Sequence, residues 1–167
     1  MPGIKRLLVV VDMQRDFVDG ALGSAAAQAI VPAVGALVSG ADEVVYTQDT
    51  HGGDYLETHE GKLLPVPHCI RGTAGWEILP QLFRRGARVF EKGTFGSVPL
   101  AEYAAGYGEI TLCGVCTDIC VVSNALLIRA FAPEASVRVV AGACAGTSPE
   151  AHQAALLTMK SCQIEII

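Results

Sequence analysis

Three side chains stand where nucleophilic acyl transfer would need them. Cys120 lies in LCGVCTDICVVSN (112–124), which passes from a buried-looking strand through a tight turn into an apolar helix. The first N–H groups of a helix lack intrahelical partners, and their aligned dipoles favour negative charge. A thiol in that first turn is expected to ionise readily and attack a carbonyl carbon. Asp12 ends the apolar run RLLVVV, where an ionised carboxylate is costly unless paired. Lys92 ends another such run and can pair with it. In this reading Asp12 takes the proton of Cys120 and later gives it to the leaving amine. Lys92 holds thiolate and carboxylate together electrostatically. A structural Asp–Lys pair, or a helix-capping Asp12, is the competing reading. Backbone N–H groups of Cys116 and Cys120, in the GVCT turn and just after it, can converge on an oxyanion. Asp118 is expected to be the N-cap of the following helix.

A second cluster falls in TQDTHGGDYLETHEGKLLPVPHCIRGTAGW (47–76), which holds three histidines. Asp49 and His51, two residues apart, point the same way from an extended segment. His68 can return from the far end of the loop as a third ligand. One carboxylate and two imidazoles with open positions suit a divalent metal: zinc first, with manganese or iron as alternatives. Ordinary hydrogen bonding in a polar loop is the plainer reading. His59, between Glu57 and Glu60, can be a fourth ligand, but the surface is the better reading for it, as for His152. Tyr55, Phe95 and Tyr103 can line a pocket or serve as core or surface aromatics.

These residues need a frame. Apolar runs at 6–11, 43–47, 88–91, 109–113, 137–141 and 163–167 read as strands. Helical patterns at 25–39, 76–83, 99–105, 118–131 and 149–160 alternate with them. The alternation predicts an α/β fold, a three-layer α-β-α sandwich around a six-stranded, mostly parallel sheet, as one domain spanning 1–167. Ligands on such sheets bind beyond the carboxyl ends of the strands. Asp12, Asp49, Lys92 and the Cys113–Cys120 turn all follow strand ends, so they should gather on one rim.

Composition narrows the options. Of the 167 residues, 51% are hydrophobic and 17% charged, which excludes a disordered chain. A net charge of −5 argues against a nucleic-acid partner. No apolar run reaches the ~18–20 residues of a membrane span, and the opening run reads as a strand. The chain is expected in the cytoplasm, with six reduced cysteines and no structural disulfide. Cys113, Cys116 and Cys120 have a spacing superficially like that of an iron–sulfur ligand set, a competing reading short of the usual four thiolates. A non-catalytic binding module is another.

The strings VVDMQRDF (10–17), EKGTFGS (91–97) and GVCTDICV (114–121) resemble the three signatures of the isochorismatase-like cysteine hydrolases, and within that group the nicotinamidases. The resemblance implies a catalytic triad of Asp12, Lys92 and Cys120, a cis peptide at Val115–Cys116 shaping an oxyanion hole with Cys120, and a six-stranded parallel sheet. It also implies a metal on Asp49, His51 and His68, a ring wall at Phe17, and a homo-oligomer. The implied activity is hydrolysis of a small amide to acid and ammonia through a thioester. Isochorismatase-type vinyl-ether hydrolysis, or action on carbamoyl or ureido compounds, is the alternative. Thr50 and Pro65 depart from the aromatic residues often found at those places in nicotinamidases.

Overall fold

The computed structural model describes residues 3–167. Six parallel strands form one sheet in the order β3-β2-β1-β4-β5-β6. They are β1 (Arg6–Val11), β2 (Val44–Asp49), β3 (Arg88–Lys92), β4 (Glu109–Val115), β5 (Ser136–Ala145) and β6 (Glu165–Ile166). Strand β1 is central and buried on both faces. Leu7, Val9 and Val11 enter one core layer with Leu112, Val121 and Ile128. Leu8 and Val10 enter the other with Val34, Tyr46 and Val115. The near-continuous apolar run follows from this two-sided burial. The helices are α1 (Arg15–Val18), α2 (Ala25–Ala29), α3 (Val31–Gly40), α4 (His59–Leu63), α5 (Val98–Ala104), α6 (Val122–Phe131) and α7 (Pro149–Ser161).

The chain moves outward from β1 through β2 to β3, then returns to lay β4 on the other side of β1. This reversal opens a crevice between the carboxyl ends of β1 and β4. The register sets Val11 beside Gly114. Gly114 has φ +118°, and a Cβ there would lie 2.2 Å from the Val11 carbonyl oxygen, so only glycine fits where β4 passes Val11 and shifts its register against β5. The Val115–Cys116 peptide is cis.

Several elements differ from the sequence expectations. The helix expected at 25–39 is two, α2 and α3, parted at Ile30, with Pro32 in the first turn of α3. The helix expected at 76–83 is absent. The Arg15 N–H donates to the Glu77 carbonyl and the Leu79 N–H to that of Met13, so the segment lies extended beside residues 13–15. Only a 3₁₀ turn, Pro80–Leu82, follows. The helix expected at 118–131 begins as a π-type turn, Thr117–Val121, before α6. All six cysteines are free thiols.

Candidate active site

The rim holds an ion pair taken almost wholly out of water. Asp12 is 0% exposed, Lys92 6% and Cys120 6%. Lys92 Nζ lies 2.7 Å from Asp12 Oδ2, 3.5 Å from Cys120 Sγ and 3.5 Å from Asp49 Oδ1. It also donates to the Thr94 carbonyl at 3.1 Å. Asp12 takes φ 49°, a left-handed conformation that Asp tolerates better than most residues. Thr47 fixes it twice: the Asp12 N–H donates to Thr47 Oγ1 (3.0 Å), whose hydroxyl donates to Asp12 Oδ1 (2.6 Å). Oδ2 makes no other hydrogen bond, which leaves it open to a proton.

Burial raises the proton affinity of Asp12, and Lys92 only partly offsets it. Burial alone would lower Lys92, but Asp12, Cys120 and Asp49 outweigh it and keep the ammonium charged. Burial, then the Asp12 charge, pushes the Cys120 thiol well up, against the pull of Lys92. Cys120 sits within the π-type turn that precedes α6, with Asp12 and Lys92 beside its sulfur.

Next to this trio, Asp49, His51, Glu60 and His68 offer ligand atoms all within 4.8 Å of one another. His51 Nε2 lies 2.8 Å from Asp49 Oδ2 and 3.7 Å from Glu60 Oε1. His68 Nε2 is 3.5 Å and 3.6 Å from the same two atoms. His68 Nδ1 is 2.8 Å from the Val66 carbonyl, which accepts its N–H and leaves Nε2 as the free donor atom, the usual state of a metal-bound imidazole. Burial would raise Asp49, but His51, His68 and Lys92 hold its carboxyl well below the ordinary range. Two imidazoles and two carboxylates converging in this way fit a divalent transition metal. Among the described residues Cys113, Cys116 and Cys120 do not bring their sulfurs together as a group of potential metal ligands, which counts against the iron–sulfur reading. Glu60 was not foreseen. It lies on α4, whose N-cap Thr58 accepts the Gly61 N–H.

A cavity of about 380 Å³ reaches Cys120 of the trio and Asp49, Glu60 and His68 of the metal-competent group. Phe17 and Phe95 line it, as do Val115, Cys116 and Cys120. Tyr55 does not. It packs edge-on behind His51 and His68, with its hydroxyl donating to the Leu64 carbonyl, so it supports the histidines and forms no wall. Tyr103 lies at the opposite end of the sheet, bonded to Glu43. The Trp76 indole donates to Thr50 Oγ1.

Further residues carry the frame. Gln14 clasps the main chain of Asp49, accepting its N–H at 2.8 Å and donating to its carbonyl at 2.9 Å. Asp16 accepts the Cys69 N–H next to His68. Together they account for much of the string VVDMQRDF. Asp118 does not cap its own helix; it accepts the N–H and hydroxyl of Thr147. His152 is half-buried, 2.7 Å from the Thr117 hydroxyl, and not free at the surface.

Residues 6–167 match the isochorismatase domain family. The nicotinamidase/pyrazinamidase of Mycobacterium tuberculosis is 30% identical over 187 residues, covering 97% of this chain and 98% of its own. The nicotinamidase of Schizosaccharomyces pombe is 26% identical, with 96% and 91% covered. The crystal structure of the pyrazinamidase of Pyrococcus horikoshii in complex with zinc superposes with a TM-score of 0.84 at 30% identity, covering 98% of each chain.

Proposed function

The chain belongs to the isochorismatase family, and we propose that it is a cysteine amidohydrolase converting a nicotinamide-like amide to acid and ammonia. One observation carries this reading: Lys92 Nζ touches both Asp12 and Cys120, and Cys120 lines the cavity beside them. Asp12 takes the thiol proton as Cys120 Sγ bonds to the amide carbon. The carbonyl electrons move to oxygen, where the N–H groups of Cys116 and Cys120 hold them. The tetrahedral species then collapses, the C–N bond breaks, and Asp12 returns its proton to the leaving nitrogen. Ammonia departs from a thioester. Water, deprotonated by Asp12, next attacks the thioester carbon, and the acid leaves as Cys120 regains its proton. Throughout, Lys92 offsets the negative charge shared by carboxylate and sulfur.

Asp49, His51, Glu60 and His68 would hold a zinc ion, which supplies a Lewis acid for a ring nitrogen or a water. Manganese or iron would suit the same donors.

The cavity lining favours a neutral amide over the alternatives. Among the described residues it includes two carboxylates, Asp49 and Glu60, with Phe17, Leu64, Phe95 and Ile119, and neither lysine nor arginine. A substrate bearing its own carboxylates, as isochorismate or a ureido acid does, would meet no lysine or arginine in that lining, only the metal that the four ligands would hold. A homo-oligomer working in the cytoplasm completes the proposal. Among the described residues no helix is long and apolar enough to cross a membrane.

The test is ammonia release from nicotinamide, pyrazinamide and carbamoyl compounds, with and without chelator. Turnover of nicotinamide that falls on chelation is the expected result. Preference for a carboxylate-bearing ureido compound would refute the assignment.

A further inference from the structure

We infer that Asn124 is a positioning residue, locking the turn that carries Cys120 to the loop that carries the Phe95 wall. Asn124 lies in the first turn of α6 and is 0% exposed. Asparagine is a poor helix former, and a buried amide is costly unless bonded. Here its Oδ1 accepts the Ser97 N–H at 2.9 Å. Its Nδ2 donates to the Phe95 carbonyl at 3.1 Å and to the Cys120 carbonyl at 2.8 Å. Only one orientation of the amide satisfies all three partners, because Ser97 presents a donor and the other two present acceptors.

The loop so held, residues 93–97, connects β3 to α5. Lys92 Nζ grips its Thr94 carbonyl while also touching Cys120. The loop is therefore fixed at Thr94 by the catalytic ammonium, and at Phe95 and Ser97 by one side chain that also holds the carbonyl of the nucleophile. Phe95 lines the cavity yet is 44% exposed, so its place depends on the main-chain anchor more than on core packing. One amide thus sets two relations: sulfur against Lys92, and the aromatic wall against sulfur.

The inference rests on Cys120 being the nucleophile, and its test does not depend on which amide is the substrate. The full chain, zinc-loaded, is compared with Asn124→Leu and Asn124→Asp. Leucine removes all three bonds at similar volume, and aspartate keeps only the acceptor. Iodoacetamide alkylation of Cys120 and kcat for nicotinamide should each fall about 10-fold or more, as expected for a lost alignment near reacting atoms. KM should rise, and Phe95→Ala, expected to raise KM by several-fold in the parent chain, should change it less than about 2-fold when added to Asn124→Leu, the signature of a shared route. Folded variants with parental alkylation and kcat, or KM effects that simply multiply, would overturn the inference. Should those two variants fail to fold, Asn124→Ser takes their place: its hydroxyl can still donate to the Cys120 carbonyl one turn back, while the bonds to Phe95 and Ser97 are lost. It should slow alkylation and raise KM, and unchanged values would refute the inference. A parent chain inactive on nicotinamide but alkylated faster than the Asn124 variants would fault the substrate assignment and support the positioning role.

Discussion

The two ends of one sheet use charge in opposite ways. At the amino ends of the strands, Arg6, Glu109, Arg138 and Glu165 form a partly exposed chain of pairs 2.9–3.7 Å apart. Each charge there keeps water, and such pairs contribute roughly 0–1 kcal/mol. At the carboxyl ends, Asp12, Lys92 and Asp49 are charged yet buried. Removing ions from water costs several kcal/mol each, and a fold selected for stability alone has no need of it. The amino rim is arranged for solubility and the carboxyl rim for chemistry, and this contrast can be broken by mutation.

The largest effect should follow Cys120→Ala, which removes the proposed nucleophile. Ammonia release should fall by about 10³-fold or more, while circular dichroism and zinc content stay as in the parent chain. Lys92→Met comes next. Besides lowering turnover, it strands the Asp12 carboxylate and should cost about 3–5 kcal/mol in denaturant unfolding. Asp12→Asn combined with Lys92→Met should recover much of that stability and none of the activity. Glu60→Gln should weaken zinc binding about 10- to 100-fold, measured by competition with a chromophoric chelator.

Smaller effects belong to the amino rim. Tyr103 and Tyr107 donate to Glu43 and hold its carboxyl below its ordinary 4.5. The folded state therefore gains from this group above pH 4.5, and that gain is lost as pH falls through the depressed value. Glu43→Gln should flatten this part of the acid-unfolding curve and leave kcat/KM unchanged. Arg138→Ala should change unfolding by less than about 1 kcal/mol.

The sequence made the carboxyl rim legible because strand ends are easy to read. An apolar run that stops at Asp12, Asp49 or Lys92 places the polar group at a sheet edge whatever the loops do. Its limits are equally physical. Glu60 sits beside His59 in a stretch that reads as solvated, and only the turn of α4 aims one inward and leaves the other outside. Asn124 looks like an ordinary polar helix residue until burial and the return of residues 93–97 are known. The segment 76–83 has helical spacing, but pairing with residues 13–15 claims its backbone groups first. The acidity of Cys120 depends on burial and on Asp12, neither of which its position near a helix start discloses.

The most direct measurement is rapid-quench mass spectrometry of the enzyme turning over nicotinamide. The account predicts an acyl adduct on the peptide bearing Cys120, formed and consumed at rates compatible with turnover and absent from Cys120→Ala. Full turnover with no adduct, or undiminished turnover in Cys120→Ala, would contradict it.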